Sequence, residues 1–133
     1  MKRVVNTILQ LFDYLPQSSI VIAATNQKEM LDEALLRRFD FSIGFDLPNE
    51  KQIKDLVRLT LANGQFSFDK INAANKIIKE SQGLSFYSIQ KTLITAIKRS
   101  LFAQASEKKI VSNKINTYIW KQLVESEKIS LQK

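Results

Sequence analysis

Three places in the chain carry side chains whose type and spacing could do chemistry. The first is Thr25-Asn26, directly after an apolar run, Ile20-Val21-Ile22-Ala23-Ala24. The Asn26 carboxamide offers both a donor and an acceptor without adding charge. Its plain structural alternative is an asparagine that satisfies backbone groups where a strand turns. The second is Arg37-Arg38, which closes a segment opened by the acids Glu29, Asp32 and Glu33. A guanidinium stays charged and can bind phosphate oxygens bidentately. The plain alternative is electrostatic, since acids at the start and arginines at the end of a short helix complement its dipole. Both can hold. On a helix the two arginines point roughly 100° apart, so only one of them reaches a given ligand, with Arg38 favoured. The third is Gly83-Leu84-Ser85-Phe86-Tyr87, with Lys91 one turn further on. The two rings either stack on a base or fill core, and core with capping by Ser85 is the favoured reading.

The surrounding elements must hold these groups. Residues 20–24 are apolar at every position, as in a central strand of a parallel sheet covered on both faces. Asn26 would then stand at the strand's carboxyl end, where open α/β sheets bind ligands. Phe41, Ile43 and Phe45 recur at period two and Pro48 ends the run, which predicts a second strand over 41–47. Ahead of both, Val5, Ile8, Leu9, Phe12 and Leu15 predict an amphipathic helix over 2–15, with Asp13 on its surface. Pro16 to Ser19 is a turn.

After Pro48 the periodicity is helical throughout. Asn49 is a candidate N-cap. Ile53, Leu56, Val57, Thr60 and Leu61 form a buried face, and Asn63-Gly64 predicts a left-handed end. Asp69 is the next expected cap, and Ile71, Ala74, Ile77 and Ile78 form the stripe that Gly83 closes. Ser85 opens a long helix with Leu84 and Ile89 as a hydrophobic staple. Ser112 is the expected cap of the last helix, with Ile115, Ile119 and Leu123 inward and Trp120 beside them. The fold expected is an α/β fragment of two short strands with flanking helices (1–48), followed by an all-α four-helix bundle (49–133), mainly α overall.

The stretch Ala24-Thr25-Asn26, Leu31-Asp32-Glu33-Ala34-Leu35, Arg37-Arg38 and Phe39-Asp40 resembles, in that order, the second region of homology of the AAA+ ATPases. The helices after Pro48 look like that family's C-terminal lid. The resemblance implies that Asn26 is the first sensor, holding the attacking water near the nucleotide's γ-phosphate. It implies that Arg37 and Arg38 occupy the arginine-finger positions, reaching in trans into a neighbouring subunit's site. Many members separate those arginines by two residues, often Pro-Gly, whereas here they are contiguous. Gly83, Ser85, Phe86 and Tyr87 match the lid segment near adenine and ribose, although Phe86 and Tyr87 replace the usual small residues. The implied partners are neighbouring subunits of a homo-hexamer, and the implied cofactors of the parent protein are ATP and Mg2+.

Composition narrows the rest. With 44% hydrophobic and 25% charged residues, the 133-residue chain is globular. It has no cysteine and no histidine, which removes disulfides, thiol catalysis and the usual zinc ligands. No apolar run approaches the roughly 18 residues of a membrane span, and a cytoplasmic location is the default. The three glycines are dispersed, so a phosphate-cradling GxxxxGK[ST] loop cannot be written, and no apolar strand ends in Asp-Glu. The chain is therefore expected to be the C-terminal piece of an AAA+ module, unable to bind or hydrolyse ATP tightly by itself, with no cofactor bound. A lone central strand would leave an apolar edge, which predicts self-association or rearrangement of residues 1–48. Residues 1–48 carry five basic and six acidic side chains (net −1), and residues 49–133 carry fifteen and seven (net +8). The alternative function is accordingly a basic helical interaction or nucleic-acid-binding module without a nucleotide role, and the plain reading of the charge is a solvated lysine-rich surface.

Overall fold

The computed structural model describes residues 2–27, 29 and 31–132. The chain divides into two compact units, Met1–Gly44 and Phe45–Lys133. Among the described residues there are six helices and two strands of two residues each, so the protein is mainly α, as the periodicity predicts.

In the first unit, α1 spans Lys2–Tyr14 and α2 spans Glu33–Leu36. Asp32 caps α2, its carboxylate accepting from the Ala34 N–H at 3.1 Å. Leu35 is the unit's buried side chain among the described residues, and Leu9 and Phe12 on the stripe of α1 are half-buried. The Phe12 and Phe39 rings meet edge to face with centroids 5.3 Å apart, which ties the end of α1 to the residue after Arg38. The two strands expected at 20–24 and 41–47 are not formed. Both segments run without a ladder, and Ile22 and Phe45 are about nine-tenths exposed. The physical reason is pairing: an all-apolar strand is stable only with neighbours on its edges and cover on its faces, and the described residues supply neither.

The second unit is a closed helical bundle. Helix α3 spans Glu50–Ala62, α4 spans Ile71–Glu80, α5 spans Phe86–Ser106 and α6 spans Thr117–Leu131. Asn49 caps α3 in a reciprocal box: its side chain accepts from the Gln52 N–H at 2.9 Å, and the Gln52 carbonyl accepts from the Asn49 N–H at 3.0 Å. Ser85 caps α5 by accepting from the Ser88 N–H at 3.1 Å. Gly83 takes φ +96°, the left-handed conformation that turns the chain between α4 and α5.

The helices bury one core. Ile53, Leu84, Ile89, Leu93, Ile115 and Trp120 are essentially inaccessible. Each large aliphatic side chain so buried contributes about 1.5–3 kcal/mol of transfer free energy. Trp120 lies inside that core rather than beside it. It stacks on Phe68 at 5.2 Å, and its indole N–H donates to the Thr92 hydroxyl at 3.3 Å.

The two strands lie in this unit's connections. The first, β1 (Ser67–Phe68), pairs in parallel with β2 (Lys114–Ile115). Three expected boundaries shift. Asp69 does not cap α4, whose N-cap is Lys70; its carboxylate instead accepts from the Thr117 N–H and hydroxyl at 3.0 and 2.8 Å. Ser112 does not cap α6, because its N–H and hydroxyl donate to the Gln104 side-chain carbonyl and Asn116 caps instead. After α3 the positive φ falls on Gln65, not Gly64; Gly64 is required because a Cβ there would strike the Phe66 ring.

Candidate functional site

In the first unit the candidate groups are set by α2 and its flanks. The buried Leu35 and the capping Asp32 fix the short helix, so Arg37 falls on its C-cap and Arg38 just beyond. The two guanidinium groups then have different fates. Arg37 meets Glu33 one turn back at 3.5 Å, with its side chain 81% exposed. Arg38 donates to Asp13 at the end of α1 at 2.6 Å, with its side chain 47% exposed. Asp13 is thus on the surface as expected, but it also holds an arginine, a role no local spacing announces. An exposed i,i+4 pair such as Arg37–Glu33 contributes only about 0.3–0.5 kcal/mol and leaves the guanidinium free to move.

Asn26 lies on an exposed bend. The Thr25 hydroxyl accepts from the Gln27 N–H at 3.0 Å, a local turn that shapes the backbone around it. Among the described residues, no hydrogen bond joins Asn26 to either arginine.

In the second unit, Ser85 caps and Gly83 turns, but Phe86 and Tyr87 do not fill core. Tyr87 is 71% exposed, and Phe86 is partly covered at 39%. The Lys91 ammonium sits 5.6 Å from the Tyr87 ring centroid. The same ammonium donates to Glu127 of α6 at 2.8 Å, and the Ser88 hydroxyl donates to that carboxylate at 2.9 Å. The hydrogen bond to Glu127 raises the Lys91 pKa above its ordinary value. The Lys91 bond, and then the Ser88 bond, lower that of Glu127. Glu127 is invisible to local pattern reading, because it stands 36 residues from Lys91 in the chain.

Neither cluster contains a glycine loop able to cradle phosphates. Among the described residues, no group of three or more acids could hold a metal ion. No helix among the described residues is long and apolar enough to cross a membrane.

Residues 1–47 match the family model described as ATPase family associated with various cellular activities (AAA). The chain is 34% identical over 107 residues to an AAA family ATPase, y4kL, of Sinorhizobium fredii, covering 80% of this chain and 31% of the relative. It is 30% identical over 124 residues to the ribosome biogenesis ATPase RIX7 of Saccharomyces cerevisiae, covering 86% of this chain and 15% of the relative. A segment of 50 residues is 50% identical to the ATP-dependent zinc metalloprotease FtsH of Karelsulcia muelleri, covering 36% of this chain and 8% of the relative. The chain thus spans a third or less of the length of these curated relatives. No solved structure matches it significantly. The family match coincides with the stretch that holds Asn26, Arg37 and Arg38, and the longer alignments extend into the bundle: residues 1–47 are a segment of the AAA family of ATPases, and the similarity to its members continues beyond them.

Proposed function

We propose that this chain supplies the sensor, arginine finger and lid of an oligomeric ATP-driven machine whose phosphate cradle is contributed by other residues. Asn26 is the sensor that orients water at the γ-phosphate, and the arginine pair acts in trans across a subunit boundary. Residues 49–133 are the lid, and Gly83, Ser85, Phe86 and Tyr87 are its contact with adenine and ribose. The partners are neighbouring AAA subunits, in a homo-hexamer, with ATP and Mg2+ at each boundary.

The observation that carries the reading is the ordered run from Asn26 to Asp40 within the family match, in which Arg37 is held only by an exposed pair with Glu33. Between the two arginines, exposure supports Arg37 as the residue that reaches the neighbour. The Asp13 contact supports Arg38 as the one that positions the segment, which reverses the slight preference for Arg38 taken from the sequence.

The test is ATP hydrolysis by an assembly in which subunits bearing this sequence are joined with a P-loop. Arg37→Ala is expected to lower turnover by roughly 10³-fold or more while nucleotide binding persists. Asn26→Ala is expected to lower it by roughly 10²–10³-fold. Mixing Arg37→Ala subunits with subunits defective only in the P-loop should restore hydrolysis, since each then completes the other's boundary. Unchanged turnover in both variants would sink the proposal.

A further inference from the structure

Helix α2 is four residues long, too short to hold its own conformation in water. The residues after it are nonetheless tied to it by backbone bonds. The Arg37 N–H donates to the Glu33 carbonyl at 2.9 Å, that of Arg38 to Leu35 at 3.1 Å and that of Phe39 to Leu36 at 3.3 Å. Arg37, Arg38 and Phe39 therefore move together, and their place is set by what grips the turn from outside.

Helix α1 supplies a grip at two consecutive residues. The Phe12 ring meets the Phe39 ring edge to face, and the Asp13 carboxylate accepts from the Arg38 guanidinium at 2.6 Å. Neighbouring residues on a helix point roughly 100° apart, so the two contacts hold the turn from different directions. A ring pair alone would let the turn swivel, whereas a charge-assisted bond is directional and opposes that. Asp13 also lacks a reason within α1. It stands in the last turn, where the helix dipole disfavours an acid and where α1 has no basic residue. The Arg38 guanidinium supplies the counter-charge.

We propose that Phe12 and Asp13 are positioning residues, which clasp Phe39 and Arg38 so that Arg37 is presented to the neighbouring subunit's nucleotide. Arg38 is then a strut whose charge is spent on Asp13, not a second finger. Arg37 keeps only an exposed pair with Glu33, which it can give up. The inference rests on the reading of Arg37 as the group that acts across the boundary, and it names the residues that place it there.

The experiment is steady-state ATP hydrolysis by the assembly of subunits joined with a P-loop. Asp13→Asn and Arg38→Ala are each expected to lower kcat roughly tenfold and to leave KM for ATP within about twofold, because placement is lost and nucleotide binding is not. Asp13→Arg combined with Arg38→Asp rebuilds the pair with reversed polarity and should recover kcat to within about threefold of the unsubstituted protein. Far-UV circular dichroism checks each variant. If Asp13→Asn unfolds the segment, the swap still decides, since recovery needs the pair and not the aspartate itself. The proposal is overturned if Asp13→Asn and Arg38→Ala turn over at the full rate, or if the swap is no better than either single change. It is equally overturned if Arg38→Ala costs as much as Arg37→Ala, which would put Arg38 on the phosphate. The two readings fail separately: an Arg37→Ala variant without effect sinks the finger, whereas a large Arg37→Ala loss beside a fully active Asp13→Asn variant sinks the clasp alone.

Discussion

The two units solve the burial problem differently. Phe45–Lys133 encloses fourteen buried apolar residues, eleven from its four helices and three, Phe68, Leu84 and Ile115, from the connections, with Trp120 wholly inaccessible among them. Met1–Gly44 buries Leu35 among its described residues and leaves Ile20, Ile22, Phe41 and Ile43 largely in water. The difference is one of locality. A helix satisfies its own backbone and needs only a face to pack. A strand needs another strand for its backbone and two covering layers for its side chains. The bundle is therefore complete within its own residues, whereas 20–24 and 41–47 have apolar strand sequences and no ladder.

The contrast can be broken at several points. The largest expected effect is Trp120→Ala, which removes the stack on Phe68 and the bond to Thr92 and should cost about 3–5 kcal/mol. It is measured by urea unfolding followed by circular dichroism; a loss under 1 kcal/mol would mean the core is not organised on this residue. Next is amide exchange. Protection along 89–101 should exceed that along 20–24 by orders of magnitude, and equal protection in a proven monomer would erase the distinction between the units.

A smaller effect is expected from Asn49→Ala, which opens the box with Gln52 and should cost about 1 kcal/mol. No change in the urea midpoint would show that the α3 cap is redundant.

The smallest concerns pH. The lowered Glu127 pKa contributes stability above the ordinary carboxylate range, lost as pH falls through the lowered value. The raised Lys91 pKa contributes below lysine's ordinary value, lost as pH rises through the raised one. Glu127→Gln should flatten the acid limb of the stability profile, and an unchanged limb would remove the pair from the ledger of contacts that matter.

Much of the helical unit was legible because its signals are local. Asn49 and Gln52 lie three residues apart, Ser85 precedes its helix directly, and the stripes of α3 to α5 recur at helical spacing. What was not legible is non-local. Asp69 has the chemistry of a cap, but Thr117, 48 residues on, competes for its carboxylate. Ser112 is taken by Gln104, and the pairing of Ser67–Phe68 with Lys114–Ile115 joins two connections that show no strand pattern. In the candidate site, the types and order of Asn26, Arg37 and Arg38 could be read directly. The division between them could not, because it depends on Asp13 reaching across 25 residues. Tyr87 departs from the core reading because its ring lies exposed beside the Lys91 ammonium, whose tie to Glu127 is again non-local.

The chain's lone indole is sealed inside the bundle against Phe68 and Thr92. Intrinsic emission excited at the red edge of protein absorbance will therefore watch one unit of the polypeptide and be blind to the other. A single sharp optical melt would certify the bundle's cooperativity while saying nothing about residues 2–27, which would need their own spectroscopic label.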